Sequence, residues 1–194
     1  MRTPLRISFA GGGTDVAPFP ELEGGAVLSA TIDRFVYGTL RPRTDDRVVV
    51  ASCGGPDFAS AAVRRLGRGG YHVDLRCAVP PGSGLGSSSA TTVALVGAVR
   101  EHFGLAWSAQ DVARLAYRIE REDLGIAGGS QDHYATAFGG FNFIEFGHDV
   151  VVRPLSVPPS VVDRLAAGLL LCFTGVTRDS ALIIRDQTAR VTGR

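Results

Sequence analysis

Residues 80–99, PPGSGLGSSSATTVALVGAV, place three alternating glycines and three consecutive serines immediately before a segment that is apolar almost all round. Gly82, Gly84 and Gly86 allow backbone conformations with positive φ and let another group approach the backbone closely. The spacing predicts a buried helix that begins near Ser88, whose first turn presents free N–H groups and the positive end of the helix dipole. The segment therefore predicts an anion site, most naturally a phosphate site, between a glycine loop and a helix.

Two familiar phosphate-binding loops do not fit this segment. The dinucleotide fingerprint has the spacing GxGxxG, whereas the glycines here are spaced GxGxG, and the Walker motif needs a Lys that this sequence lacks. The 20 basic residues are all Arg, which also excludes a Lys Schiff base. Two interpretations stay open at this point. The segment is either a phosphate loop whose serine hydroxyls also lie near a phosphate-bound Mg²⁺, or a flexible turn before a serine-capped helix.

Composition and charge exclude several broad classes of protein. A formal net charge of +1 gives no extended basic surface, so we expect no nucleic-acid partner. The three cysteines are far apart and form no CxxC pair, which indicates neither a disulfide framework nor a zinc site and fits a reducing, cytoplasmic location. No segment approaches the roughly 18 apolar residues that a membrane span needs, so we expect a soluble protein without a membrane partner.

The apolar patterns predict an α+β fold. The helix that begins at Ser108 opens with a capping box, Ser108-x-x-Asp111. We expect strands at 5–10, 26–40, 47–51, 71–77, 141–146, 149–155 and 168–173. We expect helices at 57–66, 88–103 and 108–124, a short one after residue 130, and a last one at 178–190.

The loop at residues 80–89 resembles the PxxxGLGSS phosphate loop of the GHMP kinases, a family that includes galactokinase, homoserine kinase and mevalonate kinase. The resemblance implies the N-terminal domain of that family, a mixed sheet with helices packed on one side, and the cofactors ATP and Mg²⁺. It also implies that Ser88, the second serine of GLGSS, is a Mg²⁺ ligand. The residues expected to wrap the ATP phosphates are Pro81, Gly82, Ser83, Gly84, Leu85, Gly86, Ser87, Ser88 and Ser89.

Glu120 lies at the edge of the apolar stripe of the helix predicted at 108–124, one turn after Ala116. An ordinary ion pair with a neighbouring Arg explains a carboxylate there equally well. Residues 116–120, AYRIE, resemble the A-x-x-x-E segment of GHMP kinases, and the resemblance implies that Glu120 completes the Mg²⁺ site with Ser88. Glu122 is the alternative ligand, because the following loop differs in length from that of some family members.

A second glycine loop, residues 125–131, leads to Asp132 at the start of a predicted helix. The helix dipole alone explains an acid in a first turn, but phosphoryl transfer to a hydroxyl also needs an acid that accepts the hydroxyl proton. Residues 132–140 resemble the GHMP segment that carries the catalytic Asp, which implies Asp132 as the base. His133 is expected on a different helix face, as a surface or packing residue.

Residues 3–15, TPLRISFAGGGTD, place Arg6 within an apolar strand and Asp15 just after a glycine turn. The alternation of a strand permits a solvent-facing Arg. The resemblance implies instead that Arg6 lies near the reacting phosphate and is catalytic together with Asp132. Asp15 falls where the sugar kinases of the family have the acid of a GEHTD motif, although the Glu and His of that motif are missing here.

The GGGTD motif most resembles the branch of the family that contains heptose 7-phosphate kinases and fucokinase-like enzymes. The implied acceptor is therefore the hydroxyl of a sugar or sugar phosphate, most closely a heptose 7-phosphate. The residues expected to bind it are Gly12, Gly13, Thr14, Asp15, Gly129 and Gln131. Arg2, Arg34, Arg41 or Arg178 is expected to bind its phosphate group.

The resemblance also divides the chain. Residues 1–167 correspond to the N-terminal ATP-binding domain, and residues 168–194 to the first strand and helix of an incomplete C-terminal domain. We therefore expect a fragment, a weak catalyst, or a chain complemented by a C-terminal polypeptide, and a homo-oligomer is a further expectation. The rival interpretations are a nucleotide-binding module without turnover, a fucokinase- or galactokinase-like enzyme, and a structural α/β domain.

Overall fold

A mixed β-sheet organises the chain in the computed structural model, which describes residues 1–52, 61, 65–66, 69–172, 175, 184 and 188. Its strands are β1 (Arg2–Ala10), β2 (Gly25–Pro42), β3 (Val48–Ser52), β4 (Tyr71–Cys77), β5 (Phe141–Phe146) and β6 (Val150–Pro154). The strand order is β3-β4-β2-β5-β6, and β1 also pairs with β2. Every pairing is antiparallel except that of β3 with β4. The predicted mixed sheet is confirmed.

Five α-helices and one π-helical turn occur in the described part of the chain. They are α1 (Phe19–Glu23), α2 (Ser87–His102), α3 (Ala109–Arg118), the π-helical turn Ile119–Asp123, α4 (Gln131–Phe138) and α5 (Pro159–Gly168). α2 contacts β1, β2 and β4 as well as α3 and α4. Because neighbours surround it, residues 89–99 are buried all round, which explains the absence of a polar face in its sequence.

The core lies between the sheet and this group of helices. One apolar cluster joins Leu5 of β1 and Val73 of β4 to Val96 of α2, and a second joins Val27 of β2 to Tyr134 of α4. Full burial of one such aliphatic side chain stabilises the fold by about 1.5–3 kcal/mol. The glycine loops that precede α2 and α4 are thus attached to well-packed helices.

Two predicted helix boundaries differ from the structure. The serines predicted to cap α2 do not do so: Gly86, with φ of +73°, is the N-cap residue, and no side chain caps the helix. The capping box at Ser108 and Asp111 is confirmed. The continuous α-helix predicted to Leu124 is wrong, because the chain changes to a π-helical turn at Ile119.

The segment after β6 also departs from prediction. The sequence predicted no helix at α5, whose N-cap and first residue are Pro158 and Pro159, and at the first helical position the missing N–H of Pro costs nothing. The strand predicted at 168–173 is wrong over its described part, because Gly168 ends α5 and residues 169–172 form no strand. The helices predicted at 57–66 and 178–190 lie largely outside the described residues. Across the part of the chain that the structure describes, no helix has the length and apolarity to cross a membrane.

Candidate functional site

A cavity of about 410 Å³ opens where the first glycine loop, the turn after β1 and the second glycine loop meet. Four charged side chains that the sequence singled out line it: Arg6, Asp15, Glu120 and Asp132. The fold therefore brings together residues that are more than a hundred positions apart in the chain. The other predicted residues that line it are Gly12, Gly13, Gly82, Gly84, Gly86, Ser87, Ser88, Ser89, Gly129 and Gln131.

The first glycine loop has a repeating backbone conformation. Gly82, Gly84 and Gly86 have φ values of +74°, +75° and +73°, which side chains with a Cβ rarely adopt. The first N–H of α2 bonded within the helix is that of Ala90, which donates to the carbonyl of Gly86 at 2.9 Å. The uncapped N–H groups of the preceding turn face the cavity end of the helix, an arrangement that suits an anion.

Three loop residues that were predicted to wrap the ATP phosphates do not line the cavity. Leu85 is only 8% exposed and belongs to the apolar core. Pro81 and Ser83 are not among the residues that line the cavity. The Ser83 hydroxyl is buried and has no hydrogen-bond partner among the described residues.

Glu120 is held inside the protein rather than at the edge of a helix. The π-helical turn directs both Ile119 and Glu120 inward, and Glu120 is only 1% exposed. The Ser88 hydroxyl donates to Glu120 Oε1 at 2.7 Å. Glu122, the alternative ligand, instead contacts Arg65 at 3.0 Å and does not line the cavity. A π-helical turn at such a carboxylate is a frequent feature of functional sites.

His133 is completely buried, and its Nε2 lies 2.6 Å from Glu120 Oε2. Because a carboxylate only accepts, Nε2 is the donor in this hydrogen bond. Of the two expectations for His133, the surface residue is wrong and the packing residue is confirmed, since its ring packs against Tyr117. Its hydrogen bond also orients Glu120. Burial raises the pKa of Glu120, but the hydrogen bond and charge of His133, the charge of Arg121 and the Ser88 hydrogen bond together lower that pKa to about 2.

Asp132 lies against the first glycine loop and is fixed by Arg6. Arg6 Nε donates to Asp132 Oδ1 at 2.6 Å, and Arg6 Nη1 donates to the carbonyl of Gly84 at 2.9 Å. A Cβ placed on Gly86 would lie 3.2 Å from Asp132 Oδ2. The solvent-facing orientation considered for Arg6 is therefore wrong: the guanidinium joins the acid to the loop, with only 13% of its side chain exposed.

Asp15 and Gln131 form a second polar group on the cavity wall. Gln131 donates to Asp15 twice, from its backbone N–H at 2.9 Å and from Nε2 at 2.8 Å. Ser8, which the sequence analysis did not select, donates to Gln131 Oε1 at 2.7 Å. Thr14 lies outside the cavity wall, and its hydroxyl holds the turn by donating to the carbonyls of Gly11 and Ala26.

Three of the four arginines predicted to bind a phosphate on the acceptor do not line the cavity. Arg2 packs over the ring of Phe35, Arg34 pairs with Asp33, Arg41 is exposed on β2, and Arg178 lies outside the described residues. Arg121, absent from every prediction, does line the cavity. No local signal in the sequence distinguishes it from Arg118, because its partners are backbone carbonyls of a later loop.

The donor set fits Mg²⁺. Within the described ranges no group of three or more His, Cys, Asp or Glu side chains could enclose a metal ion. Ser88 and Glu120 supply a hydroxyl and a carboxylate oxygen side by side, and Mg²⁺ commonly takes one or two protein oxygens and completes its shell with water and substrate phosphates. Adjacent uncapped helix amides would hold those phosphates.

Comparisons with known proteins identify similar sequences. The GHMP kinases N terminal domain model matches residues 57–140. D-glycero-alpha-D-manno-heptose 7-phosphate kinase of Campylobacter jejuni is 37% identical over 92% of this chain and 60% of its own length. L-fucokinase/L-fucose-1-P guanylyltransferase of Bacteroides fragilis is 25% identical over 95% of this chain and 25% of its own length.

A solved structure extends the comparison to the fold. The crystal structure of a D-glycero-D-manno-heptose 1-phosphate kinase from Bacteroides thetaiotaomicron superposes with a TM-score of 0.83 at 31% identity, over 98% of this chain and 71% of that chain. The chain belongs to the GHMP kinase family, and it has the fold of the family's N-terminal domain. It spans 60% of the length of the C. jejuni relative.

Proposed function

We propose that this chain forms the nucleotide-binding region of a kinase that uses ATP and Mg²⁺ to phosphorylate a hydroxyl of a sugar or sugar phosphate. The acceptor proposed first is a heptose 7-phosphate, as in the name of the C. jejuni relative. A heptose 1-phosphate, as in the name of the B. thetaiotaomicron relative, is the nearest alternative. In this proposal residues 1–167 form the ATP-binding domain and residues 168–194 begin the next one.

The first glycine loop, residues 81–89, would bind the triphosphate through backbone amides. The alternating positive φ values at Gly82, Gly84 and Gly86 and the uncapped start of α2 support this role. Ser88 and Glu120 would hold Mg²⁺, which when bound offsets negative charge on the transferred phosphoryl group. His133 would keep Glu120 Oε2 in place while Oε1 serves the site.

The position of Asp132 is the observation that carries the proposal. Its carboxylate lies so close to Gly86, the N-cap residue of α2, that a Cβ there would be 3.2 Å from Oδ2. The terminal phosphate of a bound nucleotide would lie at this position. The acceptor hydroxyl would transfer its proton to Asp132 as its oxygen bonds to the γ-phosphorus. The bond between that phosphorus and the β-γ bridging oxygen breaks, and ADP leaves. Arg6 would orient Asp132 and stabilise the transferring charge.

Asp15, Gln131 and the backbone of Gly12, Gly13 and Gly129 would bind the hydroxyl groups of the acceptor. A carboxylate offers about four lone-pair positions, and Gln131 occupies two of them, which leaves capacity for sugar hydroxyls. Among the four arginines predicted for the acceptor phosphate, Arg178 remains the candidate, since the other three lie away from the cavity.

The test measures ADP release by the full-length protein with heptose 7-phosphate, heptose 1-phosphate, fucose and galactose. We expect turnover with a heptose phosphate, and we expect Asp132→Asn to lower kcat about 10²–10⁴-fold. The rise in Tm that Mg·ATP produces should persist in this variant. Asp163→Asn, a change of an exposed acid on α5, is the matched control and should leave kcat unchanged.

Two results would contradict the proposal. A rise in Tm with Mg·ATP but no ADP from any acceptor would indicate a nucleotide-binding module without turnover. No change in Tm with any nucleotide would indicate a structural domain.

A further inference from the structure

Arg121 donates hydrogen bonds to backbone carbonyls of the second glycine loop. Its Nε and Nη2 donate to the carbonyl of Gly129 at 3.2 Å and 3.1 Å, and its Nη1 donates to the carbonyl of Ile126 at 3.2 Å. One planar guanidinium thereby sets the separation of Ile126 and Gly129 within this loop. A Lys could not do so, because its ammonium lacks the rigid fork of donors.

The guanidinium of Arg121 is also paired with the proposed metal ligand. Its Nη1 lies 3.4 Å from Glu120 Oε1, and only 13% of the Arg121 side chain is exposed. A guanidinium has five N–H donors. Arg121 makes three hydrogen bonds to loop carbonyls, and the carboxylate of Glu120 balances its positive charge. Although Arg121 lines the cavity, its guanidinium is occupied by contacts within the protein.

The loop bound by Arg121 packs against Asp15, which is proposed to bind the acceptor. A Cβ on Gly129 would lie 1.9 Å from Asp15 Oδ2, so the backbone of the loop is packed directly against this acid. The next residues continue the contact, because Gln131 donates to both oxygens of Asp15. A shift of Gly129 would consequently displace Asp15, Gln131 or both.

We propose that Arg121 is a positioning residue for the acceptor subsite: it fixes residues 126–129 and, through them, the Asp15–Gln131 pair. This inference rests on the proposed function, since it assigns the acceptor to that pair. Arg121 then serves the acceptor half of the site and not the nucleotide half. Loss of the Arg121 fork would weaken acceptor binding, whereas Mg·nucleotide binding would be kept, because removal of a cation beside Glu120 does not weaken attraction for Mg²⁺.

The experiment varies both substrates in steady-state kinetics of the full-length protein. For Arg121→Gln we expect the KM for the acceptor to rise about tenfold or more, with kcat and the nucleotide KM within about twofold of wild type. Arg121→Lys keeps the positive charge but not the fork and should shift the same constant by a smaller factor. Arg118→Gln, a half-exposed residue 3.9 Å from Glu122, is the control and should change nothing.

Gly128→Ala tests the same contact without changing charge. A Cβ on Gly128 would lie 2.4 Å from Arg121 Cζ, and the φ of Gly128 is outside the left-handed region, so the substitution displaces the guanidinium without backbone strain. We expect it to raise the acceptor KM as Arg121→Gln does, and we expect the double variant to show no further rise. The Mg·ATP-dependent rise in Tm, retained in each variant, reports a folded protein with an intact nucleotide site.

An unchanged acceptor KM in Arg121→Gln and Gly128→Ala, with both variants folded, overturns the inference while the proposed kinase activity stands. So does a fall in kcat or in nucleotide affinity without a change in the acceptor KM. Absence of ADP formation by the wild type with every acceptor overturns the proposed function and the inference together.

Discussion

The two glycine loops of the cavity use glycine for different physical reasons. In the first loop the residue supplies conformation: Gly84 has φ of +75°, and a Cβ there would meet nothing within 4 Å. In the second loop Gly125 has a φ of +64° like the glycines of the first, but Gly128 and Gly129 supply space: they have no positive φ, and a Cβ would collide with Arg121 at 2.4 Å and with Asp15 at 1.9 Å. The comparison teaches that the first loop is shaped by its own backbone, whereas residues 128–129 of the second are shaped by side chains from elsewhere.

Gly86→Ala should give the largest effect among the glycine substitutions, because Gly86 has positive φ and also lies close to a side chain from another element. Its φ is +73°, and a Cβ would press on the Asp132 carboxylate at 3.2 Å. Misplacement of a catalytic group by about 1 Å costs about 10²-fold in rate, so we expect kcat/KM for both substrates to fall by about that factor. Steady-state kinetics measure it.

Gly84→Ala is the matched control for this change. It carries the same backbone strain, about 1–2 kcal/mol, without a side-chain collision. It should lower the unfolding free energy and weaken nucleotide binding, with less effect on the acceptor. Equal kinetic losses in the two variants would mean that contact with Asp132 plays no part.

Gly129→Ala should have a smaller and more selective effect. The new Cβ would displace Asp15, whose hydrogen bonds to Gln131 are charge-assisted, and we expect the acceptor KM to rise about tenfold. The Mg·ATP-dependent rise in Tm should be unchanged. Gly147→Ala, where a Cβ would meet nothing within 4 Å, serves as the control. A loss of nucleotide binding in Gly129→Ala would remove the distinction between the loops.

Ser108→Ala should have the smallest effect, on stability alone. It removes the capping box of α3 and should lower the unfolding free energy by about 1 kcal/mol without altering kinetic constants. The hydrogen bonds from the Ser108 hydroxyl and backbone lower the pKa of Asp111 below its ordinary value of 3.8.

This pKa shift gives the Ser108→Ala effect a pH dependence. A group whose folded pKa is lowered stabilises the fold above its unfolded pKa, and that stabilisation is lost as the pH falls through the folded pKa. The difference in Tm between wild type and Ser108→Ala should therefore be constant at neutral pH and narrow below pH 3.8. A difference that widens in acid would contradict the assignment.

The contrast between the loops also explains which parts of the site the sequence could predict. The first loop, the start of α2 and the capping box of α3 depend on residues within a few positions of one another, so spacing and composition carry the information. The candidates Ser88, Glu120 and Asp132 followed from the resemblance of local segments to motifs of the GHMP kinases. The structure brings all three to one cavity, and their roles stay proposals.

The features that were missed depend on distant partners or on small changes of helical phase. Arg121 bonds with carbonyls of another loop, and His133 meets Glu120 only because α4 packs beside the π-helical turn. That turn adds a fraction of a residue per helical turn, which a pattern with period 3.6 does not reveal. α5 was missed because a proline pair is compatible both with a break in the chain and with the first turn of a helix.

Asp132 and His133 are consecutive residues of α4, yet one contacts Arg6 and the other contacts Glu120. A rotation or tilt of this short helix would consequently disturb two chemical centres at once. Directed evolution toward a new acceptor should therefore leave the orientation of α4 intact and remodel the turn after β1 and residues 126–129, where a change in shape can be made without that double penalty.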